Sequence, residues 1–119
     1  MSKRQKRRAW RLGLHAESWA AWSLVCCGYR ILARRFRSAV GEIDIIARRG
    51  PLLCFVEVKA RTAVIDETPV SQRQMRRIER ASLLFLQSQP NLREMDLRYD
   101  VILVRPWRWP VHLTDIWRP

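Results

Sequence analysis

The spacing of apolar and polar positions divides the chain into two helical and several extended stretches. Leu14 to Cys27 is of helix length, and Trp19, Trp22, Leu24 and Val25 carry apolar character nearly all round it. Such a helix is predicted to be largely buried, with Gly28 as its stop. Tyr29 to Phe36 predicts a short strand that places Tyr29, Ile31 and Ala33 on one face. Val40 to Arg48 is the clearest strand, Arg49-Gly50-Pro51 supplies turn chemistry, and Leu52 to Lys59 is the next strand. Residues 40–59 therefore predict a hairpin. A polar loop covers Arg61 to Pro69. A second helix is predicted from Ser71 to about Gln89, ended by Pro90, with Met75, Ile78, Ser82 and Phe85 facing the sheet. Arg98 to Val104 is a further strand, and Val111 to Trp117 a final edge strand beyond Pro106 and Pro110. The order αβββαβ, with one added strand, specifies an α/β domain: one mixed central sheet flanked by helices.

Charge changes the picture more than composition does. The 119 residues suffice for one domain with its own core. Against 11 Asp and Glu stand 23 Lys and Arg, a net charge of +12. That excess points to a polyanionic partner, nucleic acid first and an anionic membrane surface second. Six of the basic residues fall within the first 11 positions, without an acid. Residues 1–11 thus read as a basic arm and 12–119 as a single domain. Cys26, Cys27 and Cys54 match neither zinc-site spacing nor a secreted disulfide framework, so a reduced, cytoplasmic setting is expected. The longest uncharged stretch in the N-terminal half, Ser18 to Tyr29, has 12 residues, against the ~20 a spanning helix needs.

The placement of acids is the informative feature. Up to residue 65 there are four, Glu17, Glu42, Asp44 and Glu57, among 14 basic residues. Three of the four sit inside or at the edge of apolar strands, where surface acids are not expected. Side chains two apart on a strand share a face, so Glu57 and Lys59 project together, their bases about 7 Å apart. Leu52, Cys54, Val56 and Val58 fill the opposite face, while Glu42 and Asp44 share a face of the neighbouring strand. Gly41 allows a bend or a close backbone approach. With suitable register, Asp44 and Glu57 converge. Two converging carboxylates repel, and a hard divalent cation removes that cost. A lysine beside them can hold an attacking water and offset charge on a phosphorane-like transition state. The set is consistent with metal-dependent phosphodiester cleavage, with Mg²⁺ or Mn²⁺ as the expected cofactor. The plainer reading is an exposed sheet face with an ordinary Glu57–Lys59 ion pair.

These residues also carry a family resemblance. Gly41-Glu42-Ile43-Asp44-Ile45-Ile46-Ala47 followed by Phe55-Val56-Glu57-Val58-Lys59-Ala60-Arg61 resembles the GEIDLIA…FVEVKxR signature of the YraN family. Weaker matches are Gly13-Leu14-His15-Ala16-Glu17, Gly28 to Leu32, Val70-Ser71 through Arg77-Ile78, and Arg98-Tyr99-Asp100-Val101. The family is similar to the PD-(D/E)XK nuclease superfamily, near the archaeal Holliday-junction resolvases. The resemblance implies a restriction-endonuclease-like αβββαβ core and a nuclease activity on DNA, including branched or damaged DNA. It implies Asp44 and Glu57 as metal ligands with the carbonyl of Val58, Lys59 beside the water, and Glu17 as an assisting acid from the first helix. Gln74 falls where related proteins carry Lys or Gln, although Ile78 replaces the Tyr of the fuller pattern. Ser71 to Gln74 also fits a helix-capping box.

Arg73, Arg76, Arg77 and Arg80 lie at i, i+3, i+4 and i+7, one stripe on the second helix. They are expected to contact nucleic-acid phosphates, together with Arg61 just after the Glu57–Lys59 strand. Trp107, Trp109 and Trp117 interleave with Arg105, Arg108 and Arg118. They can stack on unpaired bases or cover a sheet edge or dimer contact. His15 and His112 lack metal-ligand spacing and are assigned no chemistry. The expected partner is DNA, and resolvase-like cutting of two strands would favour a homodimer. The rival functions are a non-catalytic nucleic-acid-binding module and a peripheral membrane binder.

Overall fold

The structure is a computed structural model that describes residues 3–61 and 70–119, with side chains from His15 onward. In chain order the elements are α1 (Lys3–Cys26), β1 (Arg30–Arg37), β2 (Glu42–Arg49), β3 (Leu52–Ala60), α2 (Gln72–Gln87), β4 (Asp96–Val104) and β5 (Val111–Trp117), with a short 3₁₀ turn at Pro90–Leu92 before β4. The expected order and strand content are both present. The predicted loop after Arg61 lies outside the described residues. The first helix begins at Lys3, so it takes in most of the basic N-terminal segment, whose side chains also lie outside the description.

One mixed sheet of order β1-β2-β3-β4-β5 forms the middle layer. Strands β1, β2 and β3 pair antiparallel, β3 and β4 parallel, and β4 and β5 antiparallel. A parallel pair needs a crossover, and α2 provides it between β3 and β4. The two faces of the sheet belong to different helices. Leu53 and Phe55 of β3 pack with Ile78, Ala81 and Phe85 of α2. Cys54 and Val56 pack with Ala16, Ala20 and Leu24 of α1. This alternation along β3 is the one read from the sequence, and it sends Glu57 and Lys59 toward the α2 side.

Two expectations are corrected. Helix α1 is buried on one side only. Ala16, Ala20, Ala21 and Leu24 meet the sheet, while Trp19, Trp22 and Val25 are exposed. The helix forms an outer layer, and small alanines let it lie close to the strands, so the bulky indoles point away. The second correction concerns β1. Its register with β2 shifts between Ile31 and Ala33. A bulge of this kind reverses the alternation. Tyr29 and Ile31 therefore join the α1 cluster, whereas Leu32, Ala33 and Phe36 pack on the α2 cluster.

Local chemistry sets the element ends. Gly28, at φ +86°, closes α1 in the left-handed conformation that favours glycine. Ser71 caps α2: its hydroxyl accepts from Gln74 N–H at 3.1 Å, and its own N–H donates to Gln74 Oε1 at 3.4 Å. On the α1 face of β4, Asp100 is wholly buried. It accepts from Arg98 Nη2 at 2.8 Å and from the Asp115 N–H at 2.9 Å, and it hydrogen-bonds His112 Nε2 at 2.7 Å. Arg98 also donates to Tyr29 Oη at 2.7 Å, so the network joins β4, β5 and the start of β1. His112 is thus a structural partner, consistent with its having no assigned chemistry.

Candidate functional site

The site begins where β2 and β3 part. Their ladder runs from Arg49↔Leu52 to Ile45↔Val56. One residue beyond, the Asp44 carboxylate takes over from backbone pairing: its Oδ2 accepts from the Val58 N–H at 2.8 Å. Asp44 is thereby tied to the middle of the Glu57-Val58-Lys59 segment, with its second oxygen outside that bond. On its other side β3 stays paired with β4 as far as Ala60↔Val104, which holds the segment straight.

Glu42, Asp44 and Glu57 line one cavity of about 150 Å³ together with Gln74, Arg77 and Ile78 of α2. The convergence expected of Asp44 and Glu57 is therefore present. Burial, reinforced by a hydrogen bond to Asp44 and by its charge, pushes the Glu57 carboxyl well above the usual range; Lys59 opposes the shift. Lys59 Nζ lies 4.0 Å from Glu57 Oε1, and both side chains are mostly buried. An ordinary exposed ion pair has neither that burial nor a second carboxylate beside it.

Helix α2 closes the cavity, and Gly41 lets it do so. A Cβ at Gly41 would collide with the Arg77 carbonyl, so β2 and α2 touch backbone to backbone there. Gln74 serves two purposes at once. Its backbone and Oε1 complete the capping box, and its side chain also lines the cavity. Its amide nitrogen remains as a donor.

The arginines divide. Arg73, Arg76, Arg77 and Arg80 are all exposed, and Arg77 reaches the cavity. Among the described residues none of the four forms a salt bridge. Arg61 is exposed too, but it borders a different hollow, against α1. Glu17 is not among the residues that line the acid cavity. Glu17 is only 7% exposed, and its carboxylate accepts from Arg34 Nε at 3.2 Å and Arg35 Nε at 2.9 Å. Neighbouring side chains on a regular strand point to opposite faces. Arg35 departs from that rule with φ +53°, and the two guanidinium groups can then close on one acid. The sequence carried no sign of this clamp beyond the adjacency of Arg34 and Arg35.

The donor set suits a hard divalent ion. The acidic donors lining the cavity are carboxylate oxygens, without sulfur or imidazole. Among the described residues no three His, Cys, Asp or Glu side chains form a complete metal cage. Magnesium asks for no such cage, since one or two carboxylates with waters and substrate phosphates suffice. Cys54 is no rival for chemistry: burial, with Asp100 nearby, pushes its thiol up to about 12. Among the described residues, no helix is long and apolar enough to cross a membrane.

Comparison with known proteins gives the chain a family. The model of the uncharacterised protein family UPF0102 matches residues 16–104, from the sheet-facing part of α1 through β4. A UPF0102 protein of Sinorhizobium medicae is 50% identical over 111 residues, covering 92% of this chain and 91% of its own length. One from Parvibaculum lavamentivorans is 48% identical over 112 residues, 93% of this chain and 84% of the relative. A third, from Chelativorans, is 48% identical over 113 residues, with coverages of 94% and 91%. The α/β sheet with its two flanking helices is compatible with a restriction-endonuclease-like core, and the chain belongs to UPF0102, the YraN family.

Proposed function

We propose that the protein is a divalent-metal-dependent nuclease that hydrolyses DNA phosphodiester bonds. One observation carries this reading: Asp44 and Glu57 share a cavity with Arg77 and Gln74, and Lys59 stands beside Glu57. The repulsion between the two carboxylates makes the metal-free pair costly, and a cation removes that cost. Asp44, Glu57 and the carbonyl of Val58 would hold Mg²⁺ or Mn²⁺. The bound ion supplies Lewis-acid charge and an acidified water.

The remaining roles belong to the chain. Lys59 orients the attacking water and offsets negative charge as the phosphorus becomes five-coordinate. Arg77, at the cavity wall, holds the scissile phosphate. Arg73, Arg76 and Arg80 neutralise phosphates on either side, which supplies affinity without reading sequence. Gln74 donates from its amide nitrogen while its oxygen stays in the cap. Glu17, gripped by Arg34 and Arg35, acts as a positioning residue that ties α1 to β1.

The test is cleavage of linear duplex, single-stranded, flapped and four-way-junction DNA with Mg²⁺, Mn²⁺ or EDTA. Asp44→Asn keeps an acceptor for the Val58 N–H, and Lys59→Ala removes the ammonium. Metal-dependent cleavage is expected in the wild type, reduced at least ~100-fold in each variant. Folded protein that binds DNA yet cleaves none of these substrates with either metal would overturn the reading in favour of a binding module. So would cleavage undiminished in both variants.

A further inference from the structure

A second hollow, of about 470 Å³, lies on the opposite side of the sheet from the acid cavity, between α1 and the segment that joins β4 to β5. Its walls include Trp19 from α1, Arg61 just after β3, and Arg105, Pro106 and Trp107 from the joining segment. The volume is that of a site for a nucleotide-sized ligand, ~300–1,000 Å³. Its floor includes Ala60, the residue after Lys59. Acid cavity and hollow thus adjoin the same end of β3, one on each face.

Three features make the hollow a built surface. Trp19 Nε1 donates to the Arg108 carbonyl at 3.3 Å, and its ring meets Trp109 edge-on at 5.6 Å, so the joining segment is pinned to α1. Trp107 is fully exposed, and its φ of +60° is a conformation rare outside glycine, asparagine and aspartate. The backbone strain holds an indole out in water, where burial contributes nothing to the core. Arg105 Nε is buried with no hydrogen-bond partner among the described residues, a donor that an incoming acceptor would satisfy.

The occupant follows from the chemistry. The lining combines flat aromatic faces with two guanidinium groups and contains no carboxylate. Indole faces stack on any base, and arginine adds phosphate or carbonyl contacts. A second copy of the chain would bring another +12 and the same arginines, so self-association here is opposed by charge. A membrane surface asks for a convex amphipathic face, not a concave slot. We propose that this hollow binds an unpaired base of a single-stranded segment and so directs the protein toward DNA with an unpaired stretch beside the duplex. The proposal deepens the nuclease reading by naming its substrate class, and it rests on that reading only for its biological use.

The experiment measures binding of fluorescently labelled oligothymidylate and of blunt duplex by anisotropy, all in EDTA. Trp107→Ala is expected to weaken oligothymidylate binding about tenfold and to change duplex binding by less than about twofold. Trp107→Phe should restore most of the loss, because a ring still stacks. Equal losses on both DNAs, or no loss on oligothymidylate, would overturn the proposal. Binding to phosphatidylserine vesicles that Trp107→Ala abolishes, with oligothymidylate binding unchanged, would overturn it in favour of a membrane surface. EDTA silences metal-dependent cleavage, so failure of the nuclease reading would leave this result standing. Cleavage with unaltered Trp107→Ala binding would leave the nuclease and remove the base site.

Discussion

Asp44 illustrates how one side chain can be structural and chemical together. Its Oδ2 replaces a ladder bond to Val58, and its charge presses on Glu57. That pressure is testable without any substrate. Glu57→Gln removes the ionisable carboxyl that burial and Asp44 both oppose, and should raise stability in EDTA by roughly 1 kcal/mol, as a point change that relieves a named conflict. The wild type should gain from Mg²⁺, by about 2.7 kcal/mol at a hundredfold excess over Kd. The glutamine variant should lose most of that gain. Urea unfolding with and without Mg²⁺ measures both effects. An equal Mg²⁺ gain in the two proteins would remove Glu57 from the metal site. The residue types and their spacing were legible in the sequence, as was the sharing of a face by Glu57 and Lys59. The Arg34–Glu17–Arg35 clamp was not, because it needs a backbone torsion that breaks strand alternation.

At the level of elements, the meeting of β2 with α2 decides whether a cavity exists. Gly41 and the Arg77 carbonyl approach too closely to admit a Cβ. Gly41→Ala should therefore push the helix off the strand and destabilise the protein by about 1–3 kcal/mol, the usual scale of overpacking. Urea unfolding should show a lower midpoint at unchanged slope. A variant as stable as the wild type would mean that the two elements are free to separate at this point. The capping box of α2 was readable from Ser71 and Gln74, because a cap is local in sequence. The bulge in β1 was not, since nothing between Ile31 and Ala33 departs from an ordinary strand pattern.

Across the whole molecule, the acid cavity and the aromatic hollow adjoin the same end of β3, one on each face. Beside them Asp100, opposite Val56 in the β3–β4 ladder, locks β4 to β5. Burial by itself would raise the Asp100 carboxyl. Hydrogen bonds from His112, Arg98 and the Asp115 N–H outweigh burial and hold it below the ordinary value. A carboxyl depressed by folding stabilises fully above its unfolded pKa, near 3.9, and loses that contribution as pH falls through the folded value. Stability should therefore drop below about pH 4. Asp100→Asn should cost ~3–5 kcal/mol at neutral pH, since it leaves Arg98 facing a neutral partner, and should flatten the acid-side slope. Thermal melts from pH 3 to 7 check this, and a variant with an unchanged slope would assign the acid sensitivity elsewhere.

What the sequence determined by itself is what depends on near neighbours along the chain. Period-two alternation placed β2 and β3, the turn at Gly50-Pro51 joined them, and capping chemistry started α2. The same local spacing put Glu57 and Lys59 on one face and four arginines on one stripe of α2. Tertiary structure decided the matters in which distant segments choose between otherwise equal outcomes. Register brought Asp44 to Val58, and the close contact at Gly41 set α2 over the acids. Helix α1 illustrates the limit most plainly. Its apolar residues read as all-round burial, yet an outer layer has only one face to bury. Alanine packs closer to a sheet than tryptophan does, so the indoles were left outward, and a surface able to stack on bases was left with them.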